Sequence, residues 1–264
     1  MEYLWYVIAS LGAGIGTGLV GISAATVMVP IMIVLCPSFA GKMGVYQSTA
    51  IALMSDVLGS AGTSYIYIKN KNIDIKRAMI MFVCIITMCI LGSFVASLVG
   101  DVVLGTFTLV AILIVGIRFL LKPDTTKEAL NRNQKLTNKE IILSLLFGLL
   151  IGFGTGFQGS GGGMMMLIVF TLLLGMSRKK AIGTSTFIMT FTALIASISH
   201  VIIDPDIIFE KWKVIIVCAI VTTLSSIVAA KFANKFEDKI VSITTGTILT
   251  GLGIMLIILK IFFI

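Results

Sequence analysis

The feature that most constrains this chain is a succession of apolar runs, each long enough to cross a bilayer. A membrane-spanning helix needs about 20 mainly apolar residues. Runs of this kind lie at 3–37, 44–68, 76–99, 102–121, 141–176, 181–203, 212–232 and 240–263. Only 12% of the residues are charged, whereas soluble domains carry about 25%. The sequence therefore predicts an all-α polytopic membrane protein.

Two of the runs, 3–37 and 141–176, are too long for one crossing and are interrupted by glycines. Each is either a pair of crossings or one span followed by a re-entrant hairpin, so we expect about 8–10 membrane segments. The N-terminus lacks a basic region and an obvious cleavage site, which favours a retained first span over a removed signal peptide. The four cysteines have no metal-ligand spacing, so we expect buried free thiols and no metal.

The two halves of the chain are related in sequence. A shift of 138 residues places Gly14-Ile15-Gly16-Thr17-Gly18 on Gly152-Phe153-Gly154-Thr155-Gly156. At a shift of 137, Ser48 and Thr49 meet Ser185 and Thr186. Matches that keep their order along the chain indicate a duplication. The predicted units are a first transmembrane repeat, a cytoplasmic linker and a second transmembrane repeat, at 1–121, 122–140 and 141–264.

The distribution of lysine and arginine predicts the orientation. Sixteen of the twenty basic residues lie in four segments, at 69–77, 118–139, 174–181 and 231–239. The positive-inside rule places such segments in the cytoplasm. Both termini of this multi-pass protein are then expected outside, at the cell membrane, and equivalent loops of the two repeats face opposite sides. Such an inverted repeat is typical of secondary transporters.

The segment Gly154-Thr155-Gly156-Phe157-Gln158-Gly159 has the letters of a dinucleotide fingerprint. That motif requires a preceding strand and an acidic residue about 20 positions later. Here the surroundings are apolar runs, and Arg178, Lys179 and Lys180 stand at that spacing. We therefore expect no nucleotide and no other cofactor. The net charge of +8 is scattered over loops, which disfavours nucleic acid as a partner.

The repeated glycines have two remaining interpretations. Small residues allow membrane helices to pack closely, or the run 158–163 unwinds a helix and lines a cavity. The second part of a broken helix presents free N–H groups that favour an anion. The hydroxyls after each glycine segment could likewise donate to an anion, or bond to the preceding helical turn. The candidate substrate-binding residues are Gly18, Gly21, Ser23, Gln47, Ser48, Thr49, Gln158, Gly159, Ser160, Gly161, Gly162, Gly163, Ser185 and Thr186.

Two ionisable side chains within the apolar runs are candidates for coupling transport to protons, because such groups in a membrane are usually functional. Asp56 follows Thr49 by seven residues and so lies on nearly the same helix face. It could take up a proton or pair with a basic group. His200 lies near the predicted outer surface, where an interfacial role competes with coupling. No catalytic constellation and no Walker lysine motif occurs, so we expect neither an enzyme nor an ATP-driven pump.

Together these motifs resemble the TauE/SafE sulfite-exporter family of membrane permeases over nearly the whole chain. The matching segments are "GIGTGLVGISAATVMVP" (14–30), "GFGTGFQGSGGGMMML" (152–167), "AIGTST" (181–186) and, more loosely, "YQSTA" (46–50). One departure is Ser23-Ala24-Ala25, where the family often has a glycine triplet, and this puts sulfite itself as the substrate in doubt.

The resemblance implies a secondary transporter that moves a small anion by alternating access, most often a sulfur oxyanion such as sulfite or an organosulfonate. The alternatives are a passive anion channel and a transporter of a small carboxylate without sulfur. The expected partners are the anionic substrate, with a proton as a candidate coupling ion, and the lipid bilayer. A homo-oligomer is compatible with the sequence.

Overall fold

The structure is a computed structural model, and it describes residues 2–36, 44–98, 113–114, 116–117, 120–121, 138–158, 162–203 and 205–263. All regular structure in these ranges is helical. The helices are α1 (Glu2–Val20), α2 (Ala24–Leu35), α3 (Gly44–Lys69), α4 (Ile75–Leu98), α5 (Asn138–Gln158), α6 (Gly163–Ile168), α7 (Arg178–Ile203), α8 (Asp206–Lys235) and α9 (Asp238–Phe263). The predicted all-α fold is confirmed. Most of the predicted span at 102–121 and of the linker at 122–140 lies outside the described residues.

Four helices in the described ranges are long and apolar enough to cross a membrane, at Tyr3–Val20, Ile75–Gly92, Arg178–Ile202 and Asp206–Lys235. Helix α3 has 26 residues but carries several hydroxyl side chains and a carboxylate along its length. It tolerates these groups because α2, α7 and α8 pack around it and shield them from lipid. The polar helix α3 is thus central in the bundle.

The first long apolar run forms a hairpin of α1 and α2. Gly12 on α1 faces Val27 of α2, and Gly16 faces Ile22 and Val27, so α2 folds back along α1. The 12 residues of α2 extend only about 18 Å at about 1.5 Å per residue, whereas the hydrocarbon core is about 30 Å thick. The run at 3–37 therefore consists of a long helix and a short one, α2, that folds back along it and does not cross the hydrocarbon core by itself.

The second long run has the same design. Helix α5 ends at Gln158, and Gly154 on α5 faces Met165 of α6. The six residues of α6 continue into a five-residue π-helix, Val169–Leu173. Together they extend about 17 Å, again too short to cross. The run at 141–176 therefore also consists of a long helix and a short helical segment that folds back along it.

Close glycine contacts define the direction of α1 relative to α8. A methyl group on Gly14 would lie 2.5 Å from the carbonyl oxygen of Thr222, and one on Gly18 would lie 2.8 Å from the nitrogen of Ala230. The contact advances along both helices in the same sense, so α1 and α8 run parallel. Helices α4 and α5 also pack closely and run parallel. In each pair the two helices come from opposite halves of the chain.

Helices α3 and α7 run antiparallel. Gly183, near the start of α7, packs against Tyr67, near the end of α3. At the other end of the pair, the ring of His200 on α7 stacks on Tyr46 of α3. These two helices hold corresponding sequence motifs and run in opposite directions. That the two halves form an inverted repeat stays a prediction.

Three of the basic segments meet at one end of the bundle. Asn72 Nδ2 donates to Asn234 Oδ1 at 2.7 Å, and Lys179 Nζ donates to the Asn234 carbonyl at 3.3 Å. The backbone N–H of Asp74 donates to Thr184 Oγ1 at 3.0 Å. The turn after α3, the start of α7 and the end of α8 therefore lie together, and we call this region the basic end. That it faces the cytoplasm stays a prediction.

Candidate functional site

The first helix break is a three-residue turn between α1 and α2. Gly21 donates its N–H to the Thr17 carbonyl at 3.0 Å and has a φ of +72°, a left-handed conformation that ends α1. Ser23 then caps α2, because its Oγ accepts the N–H of Ala25 at 3.3 Å. These two residues let the chain reverse direction within the bundle.

The second break meets the first. Gly162 has a φ of +68°, and a methyl group on it would overlap Thr155 Oγ1. A methyl group on Gly163 would overlap the carbonyl oxygen of Gly21 and lie 2.7 Å from the Met189 sulfur. The backbones of the two breaks are therefore in contact, and Gly163 allows that contact because it has no side chain.

The second pair of candidate hydroxyls lies beside this contact. A methyl group on Gly21 would lie 3.1 Å from Ser185 Oγ. Ser185 and Thr186 are buried, and their hydroxyls donate to the Ile182 carbonyl at 3.0 and 2.9 Å. In this conformation both hydroxyls are hydrogen-bonded to a backbone carbonyl in the preceding turn of α7. Donation to an anion would require rotation of the hydroxyls.

The first pair lies elsewhere. Ser48 and Thr49 are buried in the first turns of α3, and Gln47 beside them is half-buried. They are close to the Tyr46–His200 stack, whereas Ser185 is close to the basic end. The antiparallel packing of α3 and α7 separates the two pairs by about 20 Å along the helix axes. The structure thus brings Gly21, Gly163 and Ser185 together but leaves Ser48 and Thr49 apart.

Gly18 takes part in helix packing. A methyl group on it would overlap the carbonyl oxygen of Ser226 and lie 2.7 Å from Ala229 Cβ on α8. Its own carbonyl accepts the Tyr67 hydroxyl at 3.2 Å. The absence of a side chain is what lets α1 and α8 approach here. A role of Gly18 in binding stays a prediction.

The remaining candidates of the glycine run have little or no described structure. Only the backbone of Gln158 is described, as the last residue of α5. Gly159, Ser160 and Gly161 lie outside the described residues. Within the described ranges, no group of three or more His, Cys, Asp or Glu side chains could hold a metal ion.

Asp56 connects the middle of α3 to the first break. Its side chain is fully buried, and Oδ2 accepts a hydrogen bond from Ser23 Oγ at 2.5 Å. The backbone N–H of Ala24, the first residue of α2, faces the same carboxyl group. Oδ1 accepts no hydrogen bond from the part of the chain that is described. Asp56, a candidate coupling residue, therefore contacts Ser23, a candidate binding residue that lies 33 positions earlier in the chain.

His200, the other coupling candidate, lies at the end opposite the basic end. Its ring stacks on Tyr46 with centroids 4.6 Å apart, and its Nδ1 lies 2.9 Å from the Ala196 carbonyl. The Tyr46 hydroxyl donates to the His200 carbonyl at 3.4 Å. Tyr46 was not singled out in the sequence, because its partner is 154 positions away. Met189 was missed for the same reason, since methionine in an apolar helix is usually core.

Replacing Tyr46 with alanine should loosen this end of the bundle. An aromatic pair contributes about 0.5–1.5 kcal/mol, which corresponds to a roughly two- to tenfold change in an opening equilibrium. We expect Ser48→Cys, in a chain whose four native cysteines are replaced by alanine, to react faster with a water-soluble thiol reagent when Tyr46→Ala is also present. Tyr65→Ala, at an exposed position of α3, is the matched control. Equal labelling rates in the two variants would show that the stack does not close this end.

The comparisons with known proteins agree with this architecture. Residues 6–256 match the family described as Sulfite exporter TauE/SafE. The chain is 23% identical over 218 residues to the probable membrane transporter protein YunE of Bacillus subtilis, covering 76% of this chain and 79% of that protein. It is 26% identical over 181 residues to a probable membrane transporter protein of Haemophilus influenzae, covering 66% of this chain and 64% of that one. The family match includes both helix breaks.

Proposed function

We propose that this chain, which belongs to the Sulfite exporter TauE/SafE family and is a membrane transporter, moves a small anion across the cell membrane by alternating access. The substrate is a sulfur oxyanion or an organosulfonate, with sulfite as the first candidate. Transport is secondary, and Asp56 couples it to a proton. The family match and the two probable membrane transporters that the chain resembles support the general activity.

The contact between Gly21 and Gly163 is the observation that carries this proposal. Non-helical backbone at membrane depth is tolerated only where it is buried in protein or lines a cavity. Here two breaks, one from each half of the chain, meet inside the bundle. The free N–H groups and the dipole at the start of a helix favour a negative charge. A site of this kind holds a small anion without a fixed positive charge and can therefore release it.

The central pair of antiparallel helices supports alternating access. Hydrogen bonds among three elements hold the basic end together, and an aromatic stack closes the opposite end. In transporters with inverted repeats, one end opens as the other closes around a fixed site. Because the two closures use different contacts, each can break while the other stays intact.

Uptake into proteoliposomes tests the proposal. The probes are radiolabelled sulfite, methanesulfonate and acetate, with protein-free liposomes as the control. We expect uptake of sulfite or methanesulfonate, accelerated by the same anion on the opposite side, as a carrier requires. Uptake of acetate alone would favour a carboxylate transporter, and uptake without such acceleration would favour a passive channel. Uptake of none of the three, with and without a proton gradient, would contradict the proposal.

A further inference from the structure

The first break holds one of the protein's own carboxylates at the start of the short helix α2. Helix α2 has 12 residues, and its N-terminus carries a partial positive charge from the aligned peptide dipoles. The fully buried Asp56 side chain lies against Ser23 and Ala24, the cap and the first residue of that helix. An anion that belongs to the protein therefore occupies the position that a helix N-terminus offers to an external one.

A short hydrogen-bond chain holds this carboxylate. The N–H of Ala25 donates to Ser23 Oγ at 3.3 Å, and Ser23 Oγ donates to Asp56 Oδ2 at 2.5 Å. A separation of about 2.5–2.7 Å is typical of a hydroxyl bound to an ionised carboxylate. Oδ1, with no hydrogen bond from the described residues, leaves room for a proton. The pair thus places one carboxyl oxygen of Asp56 at the helix N-terminus and leaves the other able to accept a proton.

No basic side chain neutralises Asp56 among the residues that the structure describes. Asp56 forms no ion pair there, and the ion pair of Asp74 with Arg77 lies at the basic end. Helices α1, α2, α7 and α8 pack on α3. The ionisable residues of these helices occupy positions near the helix ends, with the exception of Cys218 in the middle of α8: Glu2, Tyr3, Tyr6, Arg178, Lys179, Lys180, His200, Asp206, Glu210, Lys211, Lys213, Lys231 and Lys235. The N-terminus of α2 is therefore the main stabilising partner of the carboxylate.

The described residues of the second repeat do not show this arrangement. Asp56 corresponds to Ala193, which is buried, and Ser23 corresponds to Gly161. In the part of the second break that is described, the N-cap of α6 is Gly162, which makes no side-chain hydrogen bond. The two breaks are chemically unequal although their sequences are related.

We propose that Asp56 is a removable internal anion, which occupies the N-terminus of α2 when ionised and gives up that position to the substrate anion when it takes up a proton. This inference rests on the proposed function, because it takes the substrate to be an anion. Two negative charges within a few ångströms of each other in a protein interior repel strongly, so the helix N-terminus holds one of them at a time. One proton then enters the site with each monoanion.

The anion site at α2 can be tested without a transport assay. Asp56→Ala vacates the position, and we expect this variant to unfold at a lower temperature than the wild type. Sodium formate, a monoanion of the size of the missing carboxylate, should raise its melting temperature by several degrees. Formamide, which is neutral, should not. Asp56→Asn and the wild type keep a side chain at this position that an anion must displace, so formate should raise their melting temperatures less than that of Asp56→Ala. An equal response of Asp56→Ala to formate and formamide would overturn the inference.

Proton uptake provides a second measurement that does not depend on the alanine variant. Methanesulfonate is a permanent monoanion, so protons taken up when it binds come to the protein. Calorimetric titration in buffers of different ionisation enthalpy should give about one proton per anion bound to the wild type, and none for Asp56→Asn. If Asp56→Asn still takes up a proton when it binds methanesulfonate, the inference is overturned. If the wild type binds no methanesulfonate, the proposed sulfonate substrate fails, and the formate experiment alone decides whether α2 holds an anion.

Discussion

Gly163→Ala should abolish transport while leaving the protein in the membrane. The added methyl group would overlap the carbonyl oxygen of Gly21 and crowd the Met189 sulfur. The sulfur can rotate away, but the backbone of the first break cannot move without disturbing the turn that ends α1. Overpacking a tight contact costs about 1–3 kcal/mol. Here it would disturb the contact between Gly21 and Gly163, where we propose that the substrate binds. We expect at least a tenfold loss of uptake in proteoliposomes.

Two variants make this result specific. Gly251→Ala is the matched control, because a methyl group at that position of α9 meets no atom within 4 Å. It should transport at the wild-type rate. Adding Met189→Ala to Gly163→Ala removes the sulfur but leaves the overlap with Gly21, so transport should not recover. Normal transport by Gly163→Ala would mean that the meeting of the two breaks has no part in the cycle.

Gly18→Ala should destabilise the bundle and leave substrate affinity intact. Its methyl group would overlap the Ser226 carbonyl of α8, so α1 and α8 would have to separate. We expect a loss of about 1–3 kcal/mol of stability, measured as a lower melting temperature of the purified protein and a lower yield from membranes. Binding of methanesulfonate by the folded fraction should keep its wild-type affinity.

The matched control for Gly18 lies on the same helix. At Gly12 the nearest atom to an added methyl group is Val27 Cγ1 at 3.4 Å, an ordinary contact. Alanine there should be tolerated and gain up to about 1 kcal/mol from its better helix propensity. A loss of affinity in Gly18→Ala without a loss of stability would assign Gly18 to the binding site, as the sequence predicts.

Hydrophobicity alone was sufficient to locate the described spans. The predicted run at 44–68 became α3 at Gly44–Lys69, and that at 76–99 became α4 at Ile75–Leu98. The predicted run at 212–232 is shorter than α8, which begins at Asp206. The helix extends beyond the apolar run because charged side chains in its first two turns reach the interface. Apolar length is a local property, so it can be counted from the sequence. The same count left open whether each long run was two crossings or a hairpin.

The candidate site was only partly predictable for a related reason. The glycine run at 161–163 stands out in the sequence because three glycines in a row are unfavourable in a helix, and the structure brings Gly163 of this run into contact with Gly21. The pairing of Ser23 with Asp56 has no signature in the sequence, since the two residues are 33 positions apart on different helices. The stack of Tyr46 on His200 is equally hidden.

The sequence by itself therefore determined the class of protein, the positions of its described apolar spans and breaks, and the family to which it belongs. Each follows from local composition or from the order of motifs along the chain. Only the tertiary structure decided that α2 and α6 fold back along the helices before them, that the hydroxyl pairs lie at opposite ends, and that a carboxylate lies at the first break. These depend on which helix faces meet, and such contacts join residues far apart in the chain whose side chains are individually ordinary for a membrane helix.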